Sequence, residues 1–190
     1  MCLLQRSSCA LEATSQIMEG VTFLHNHLVA HRDLFISNFL RSRRNGKYNV
    51  STEKDFLRPR YCIIDFEWAV RFLSSSNPVS RTVVGPPTRW DDYRRPAPPE
   101  MRSSQPYCPF KADVWQLGCT FLFCFQVLHL ASWRDNPRNH TALRFMNADS
   151  PDARPTARAA VERLNRLRTA IPSNILRQSI DEPEWSLPED

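Results

Sequence analysis

Glycine and lysine are the scarce residues of this 190-residue chain. The four glycines, Gly20, Gly46, Gly85 and Gly118, lie far apart. A backbone loop that wraps phosphate needs clustered glycines, because only glycine adopts the required angles freely. No such loop exists between residues 1 and 190. The only lysines are Lys47, Lys54 and Lys111, so residues 1–30 offer no ammonium group. No CxxC pair occurs among the six cysteines, which excludes the common zinc and dithiol motifs. The opening MCLLQRSS has too short an apolar run for a secretory h-region. Reduced thiols and an intracellular protein, cytoplasmic or nuclear, are the expectation.

Long hydrophobic runs are also few. Residues 114–131 form the one candidate span, but Gln116, Gln126 and His129 interrupt it. A buried core helix, not a membrane helix, is expected there. The net charge of +5 comes almost wholly from arginine, in runs such as Arg41 to Arg44 and Arg154 to Arg168. Aromatic residues are not interleaved with these runs, so they read as solvated faces and not as a nucleic-acid surface.

What is present has a clear order. Ile17, Val21, Leu24 and Leu28 recur at helical spacing and predict a helix over 11–28. The segments 34–40 and 61–65 read as short strands joined by a long polar connection. Residues 74–99 are rich in Ser, Pro and Arg and predict a functional loop. An apolar helix over 113–131 follows. Residues 132–155 are broken by Pro137, Pro151 and Pro155, and the segment between Trp133 and Arg154 looks too short for two full helices. A last amphipathic helix is expected over 156–171, with Ala160, Val161, Leu164, Leu167 and Ile171 on one face. The fold class is mainly α with a small β-hairpin region. The expected organisation is an extension at 1–10, a lobe at 11–171 and an exposed acidic tail at 172–190.

The stretch His31-Arg32-Asp33-Leu34-Phe35-Ile36-Ser37-Asn38 reads HRDxxxxN. Asp65-Phe66-Glu67, Ala97-Pro98-Pro99-Glu100, Asp113-Val114-Trp115-Gln116-Leu117-Gly118 and Asp152-Ala153-Arg154-Pro155 follow in that order. With these landmarks in this order, the chain resembles the C-terminal lobe of a eukaryotic-type protein kinase, with DFE in place of DFG. The resemblance covers about residues 11–171. It implies ATP-dependent phosphoryl transfer to protein hydroxyls, of Ser/Thr type, with ATP and Mg²⁺ as cofactors. Asp33 would be the base, beside Arg32 and Asn38 in the catalytic loop. Asn38 and Asp65 would hold the metal, which prefers oxygen ligands. His31 and Phe66 would stack in the hydrophobic spine. Arg32 would pair with a phosphorylated residue of the loop at 68–96. Asp113 would hold the catalytic-loop backbone, and Glu100 would pair with Arg154.

The departures from that pattern are specific. The N-terminal lobe, with its glycine-rich loop and strand lysine, is missing from residues 1–30. Glu67 replaces a glycine and adds a carboxylate where anionic phosphates would sit. Phe35 stands where Ser/Thr kinases usually carry a lysine that neutralises phosphate. An isolated chain without activity is therefore expected. A pseudokinase-like binding module is one alternative, and a small-molecule kinase of the choline or aminoglycoside type is another. A protein partner would suit the face left open by the missing lobe.

Overall fold

The computed structural model describes residues 7–42, 60–127 and 143–170. Helix α1, Ser7–Asn26, leads into strand β1, Val29–Ala30. Strands β2, Phe39–Ser42, and β3, Arg60–Ile63, come next, then β4, Val70–Arg71. Helix α2 spans Pro109–Val127 and helix α3 spans Ala157–Ala170. Among the described residues the fold is mainly α, as expected, and has two small antiparallel strand pairs where a single hairpin was expected. Strand β1 pairs with β4, with Ala30 opposite Val70. Strand β2 pairs with β3, from Phe39 opposite Ile63 to Ser42 opposite Arg60. This pair meets the hairpin expectation in part: β3 overlaps the expected 61–65, but only 39–40 of the expected 34–40 lie in β2, because Ile36–Asn38 form a 3-10 turn. The connection lies outside the described residues.

The first helix begins four residues earlier than the expected start at Leu11, inside the predicted extension. It also stops before Leu28, which takes a φ of 59°. That left-handed residue breaks the helical path and turns the chain into β1. The apolar helix likewise starts four residues early, at Pro109, where proline's fixed φ suits a first turn. The last helix lies one residue inside its predicted bounds at each end. Expectations for the tail, and for residues 132–142, fall outside the described residues, while 143–155 contain two short 3-10 turns, Phe145–Asn147 and Pro151–Ala153. Among the described residues, no helix is long and apolar enough to cross a membrane.

The main core joins α1, α2 and α3. Ile17, Met18 and Val21 of α1 pack with Val114, Leu117 and Phe121 of α2 and with Ala157 and Ala160 of α3. Leu34 and Phe39 enter the same core, so the segment between β1 and β2 is anchored on both sides of Asn38. A second cluster of Tyr93, Ala97, Met101, Tyr107 and Ala112 secures the long loop. An isolated bridge between Val83 and Tyr107 closes that loop on itself. Cys62, Cys108 and Cys119 are not joined in disulfides.

Candidate active site

The loop after β1 is fixed from beneath by one face of α2. Asp113, Gln116 and Thr120 stand at spacings of three and four, so their side chains share that face. Asp113 is fully buried, and its Oδ1 accepts from the Arg32 backbone N–H at 2.7 Å. Its Oδ2 accepts from the His31 N–H at 2.8 Å. His25 Nε2 donates to the same oxygen at 3.0 Å. A buried carboxylate is tolerated when donors satisfy it in this way.

One turn later, Gln116 Oε1 accepts from Leu34 N at 3.1 Å. Its Nε2 donates to the Arg32 carbonyl and to Tyr93 Oη, both at 3.0 Å. Thr120 Oγ1 donates to the Leu34 carbonyl at 3.0 Å. Burial pushes the Tyr93 hydroxyl well above its usual range, and the nearby Asp33 carboxylate adds to the rise. Tyr93 therefore stays protonated.

His31 is fully buried, and its network assigns its proton. Nε2 donates to the Ile64 carbonyl at 3.0 Å, so Nδ1 is left to accept from Asp33 N at 3.3 Å. The ring joins the loop to the chain just after β3. Its edge meets Phe66 with ring centroids 4.8 Å apart, which is the expected contact. Phe66 nevertheless remains 45% exposed.

Asp33 is 5% exposed. Asn38 Nδ2 donates to Asp33 Oδ2 at 2.7 Å and to the Asp33 carbonyl at 2.9 Å. The two residues are thus brought together, with the Asn38 amide oxygen facing away from that bond. Asp33 Oδ1 has no hydrogen-bond donor. Arg95 Nε lies 3.4 Å from it, close enough for attraction but not aligned for a hydrogen bond. Arg95 Nη2 also donates to Ser37 Oγ at 2.7 Å, and its guanidinium sits 5.5 Å above the Phe35 ring. A cation therefore occupies the neighbourhood where Phe35 removes one, carried by a residue 60 positions further along the chain.

Asp65 is exposed and takes a φ of 65°. Arg32 takes a φ of 70°. Non-glycine residues pay for this backbone region, and such strain gathers at sites where geometry matters more than stability. Glu67, which replaces the glycine, is not in that region. Among the described residues, no group of three His, Cys, Asp or Glu side chains forms a metal cage. Asn38 and Asp65 offer oxygens of the kind Mg²⁺ takes, but water or phosphate would have to supply the remaining ligands.

Arg32 is 9% exposed, and its Nη2 reaches the Gly85 carbonyl at 3.4 Å. Tyr107 Oη donates to the same carbonyl at 2.7 Å. Gly85 has a φ of 64°, which aims that carbonyl inward without steric cost. Arg32 Nε is buried without a partner. Further away, Arg154 is 1% exposed and grips Glu100 with both terminal nitrogens, Nη2 to Oε2 at 2.8 Å. Arg154 also donates to the carbonyls of Ala148, Lys111 and Asp149. The predicted pair is present and highly coordinated.

Sequence reasoning missed Gln116, Thr120, His25 and Arg95. The first two were legible as polar residues on the face of an apolar helix that carries Asp113. His25 and Arg95 left no such signal, because only the fold brings them near.

A family model described as the protein kinase domain matches residues 4–165. Cyclin-dependent kinase 11 of Dictyostelium discoideum is 34% identical over 106 residues, covering 56% of this chain and 24% of that protein. Human mitogen-activated protein kinase kinase kinase 3 is 34% identical over 110 residues, 56% of this chain and 14% of that protein. The fatty acyl-CoA synthetase and RNA processing-associated kinase 1 of Saccharomyces cerevisiae is 29% identical over 137 residues, 72% of this chain and 13% of that protein. The chain thus spans a quarter or less of the length of these relatives.

Proposed function

Because the chain belongs to the protein kinase family, we propose that residues 11–171 form the C-terminal lobe of a phosphoryl-transfer site, inactive by itself. The observation that carries this reading is the Asp33–Asn38 bond on a loop clamped by Asp113. Phosphoryl transfer is chiefly positioning and charge neutralisation. Asp33 would orient a substrate hydroxyl. Asn38 and Asp65 would turn oxygens toward Mg²⁺ bound to ATP. Bound nucleotide would bring the metal and the phosphoryl group. His31 would keep the loop and the Asp65 segment in register through Ile64.

The phosphate-gripping half is not supplied by residues 1–30, which lack lysine and a glycine cluster. Ile36, Leu40 and Phe66 flank the site and are exposed, which suits a covering protein surface. For a complete enzyme the family resemblance suits a Ser/Thr substrate.

A second reading, a non-catalytic binding module, is favoured by one observation. Arg95 is paired with the Asp33 oxygen that a substrate would need. Calorimetric titration of the 190-residue chain with ATP and Mg²⁺ separates these readings from an active enzyme. No micromolar binding and no transfer from labelled ATP is expected. Micromolar binding with transfer, both lost in Asp65→Asn, would overturn the inactive reading.

A further inference from the structure

A cavity of about 510 Å³ is lined by residues from the end of α1 and the starts of α2 and α3. Arg81, Lys111 and Arg158 line it, together with His25, Phe110 and Thr156. No carboxylate lines it among the described residues. Arg158 is exposed. Lys111 donates one proton to the Arg154 carbonyl and keeps others free, since an ammonium has three. Arg81 is held in place by Ser76, through Nε to Oγ at 3.0 Å and Nη2 to the carbonyl at 2.8 Å. His25 is already engaged by Asp113. Helix α3 starts at the rim, with Thr156 Oγ1 accepting from Ala159 N at 3.2 Å, so its positive end adds to the field. Like charges converge here without a neutralising partner among the described residues, beside the apolar ring of Phe110.

The same chain carries a matching segment. Residues 181–190, DEPEWSLPED, hold five carboxylates, no lysine or arginine, and one tryptophan. They lie outside the described residues. Helix α3 has 14 residues and runs about 21 Å from the cavity rim to Ala170, at about 1.5 Å per residue. The ten residues 171–180 can extend about 33–36 Å, at the usual reach of an extended chain. The acidic segment can therefore return along α3 to the cavity.

We propose that residues 181–190 dock in cis on the Arg81–Lys111–Arg158 cavity. The carboxylates meet the three cations, and the Trp185 ring meets Phe110. Tethering raises the local concentration to the millimolar range, so a modest contact suffices.

Zero-length carbodiimide coupling of the full chain tests this, because it joins an amine to a touching carboxylate. An equimolar mixture of unlabelled and ¹⁵N-labelled chain separates links within one molecule from links between two. The expected product joins Lys111 to a tail carboxylate within one molecule. It should drop roughly fivefold or more in Arg158→Glu, where attraction becomes repulsion. It should also drop at about 0.5 M salt, where exposed charges are screened. Mixed-isotope links would overturn docking in cis in favour of a second copy. Tail links spread equally over Lys47, Lys54 and Lys111 would overturn specific docking. Hydrogen exchange on the full chain gives a second readout. Amides of 181–190 should be protected, and exposed when Asp181, Glu182, Glu184, Glu189 and Asp190 are all neutralised. An unprotected tail would overturn the proposal, and so would an added acidic peptide that binds a cavity its own tail leaves open.

Discussion

Single residues carry unequal weight here, and charge burial decides which. Arg154 is almost wholly enclosed, and Glu100 is its only carboxylate among the described ion pairs. Removing one member of a buried pair typically costs about 3–5 kcal/mol, because the other charge is stranded. Glu100→Ala should therefore lower the denaturant midpoint severely, and Arg154→Ala should do so at least as much, since it also strips donors from three carbonyls. A midpoint unchanged in both variants would refute the pairing as a stabiliser. Asp113→Asn is a subtler change. The amide keeps the shape but replaces one acceptor with a donor that faces the His31 or Arg32 N–H. A loss of about 1–3 kcal/mol is expected from the unsatisfied buried group, read by urea unfolding. The roles of Asp113, Glu100 and Arg154 could be inferred from the motif order before any coordinates. Arg95 could not, because its approach to Asp33 depends on how 61 intervening residues fold.

At the level of elements, α2 is the organiser. One face packs against the core through Val114, Leu117 and Phe121, while Asp113, Gln116 and Thr120 hold the loop. Gly118 marks where the segment around Met146 passes close. A Cβ there would lie 2.8 Å from Met146 Cβ and 2.5 Å from Asn147 Oδ1. Asn147 is not free to move, because its Nδ2 donates to the Trp115 carbonyl at 2.8 Å. Gly118→Ala should destabilise the protein by about 1–3 kcal/mol, despite alanine's better helix propensity, as overpacking usually does. A rise in melting temperature would contradict this packing. Apolar periodicity made the three helices legible, and β-rich YCIID made β3 legible. Helix starts were misjudged by four residues at α1 and α2. The signal at those ends is local capping chemistry, which is weaker than the periodic core pattern.

Across the whole molecule, buried protons that cannot leave make stability fall at alkaline pH. Burial pushes the Cys119 thiol from its usual 9.0 up to about 11, partly offset by its bond from Asn147. Burial likewise raises the Tyr107 and Tyr93 hydroxyls. Each group has a higher pKa folded than unfolded, so above the unfolded value the unfolded chain loses its proton first. Their contribution is complete below pH 9.0 and declines as pH rises toward about 11. Melting temperatures recorded from neutral pH upward should fall across that window, and Cys119→Ala should flatten the part near pH 9 to 11. A melting temperature constant through the window would refute this. The family could be inferred from five short motifs in order, whereas the charge-matched cavity could not, because Arg81, Lys111 and Arg158 share no local pattern. The single face of α2 that holds Asp113, Gln116 and Thr120 also makes that stretch a ruler of fixed length. One residue inserted between 113 and 120 would swing Thr120 about 100° around the helix, away from Leu34. A change of length within these two turns would therefore release the loop from its clamp.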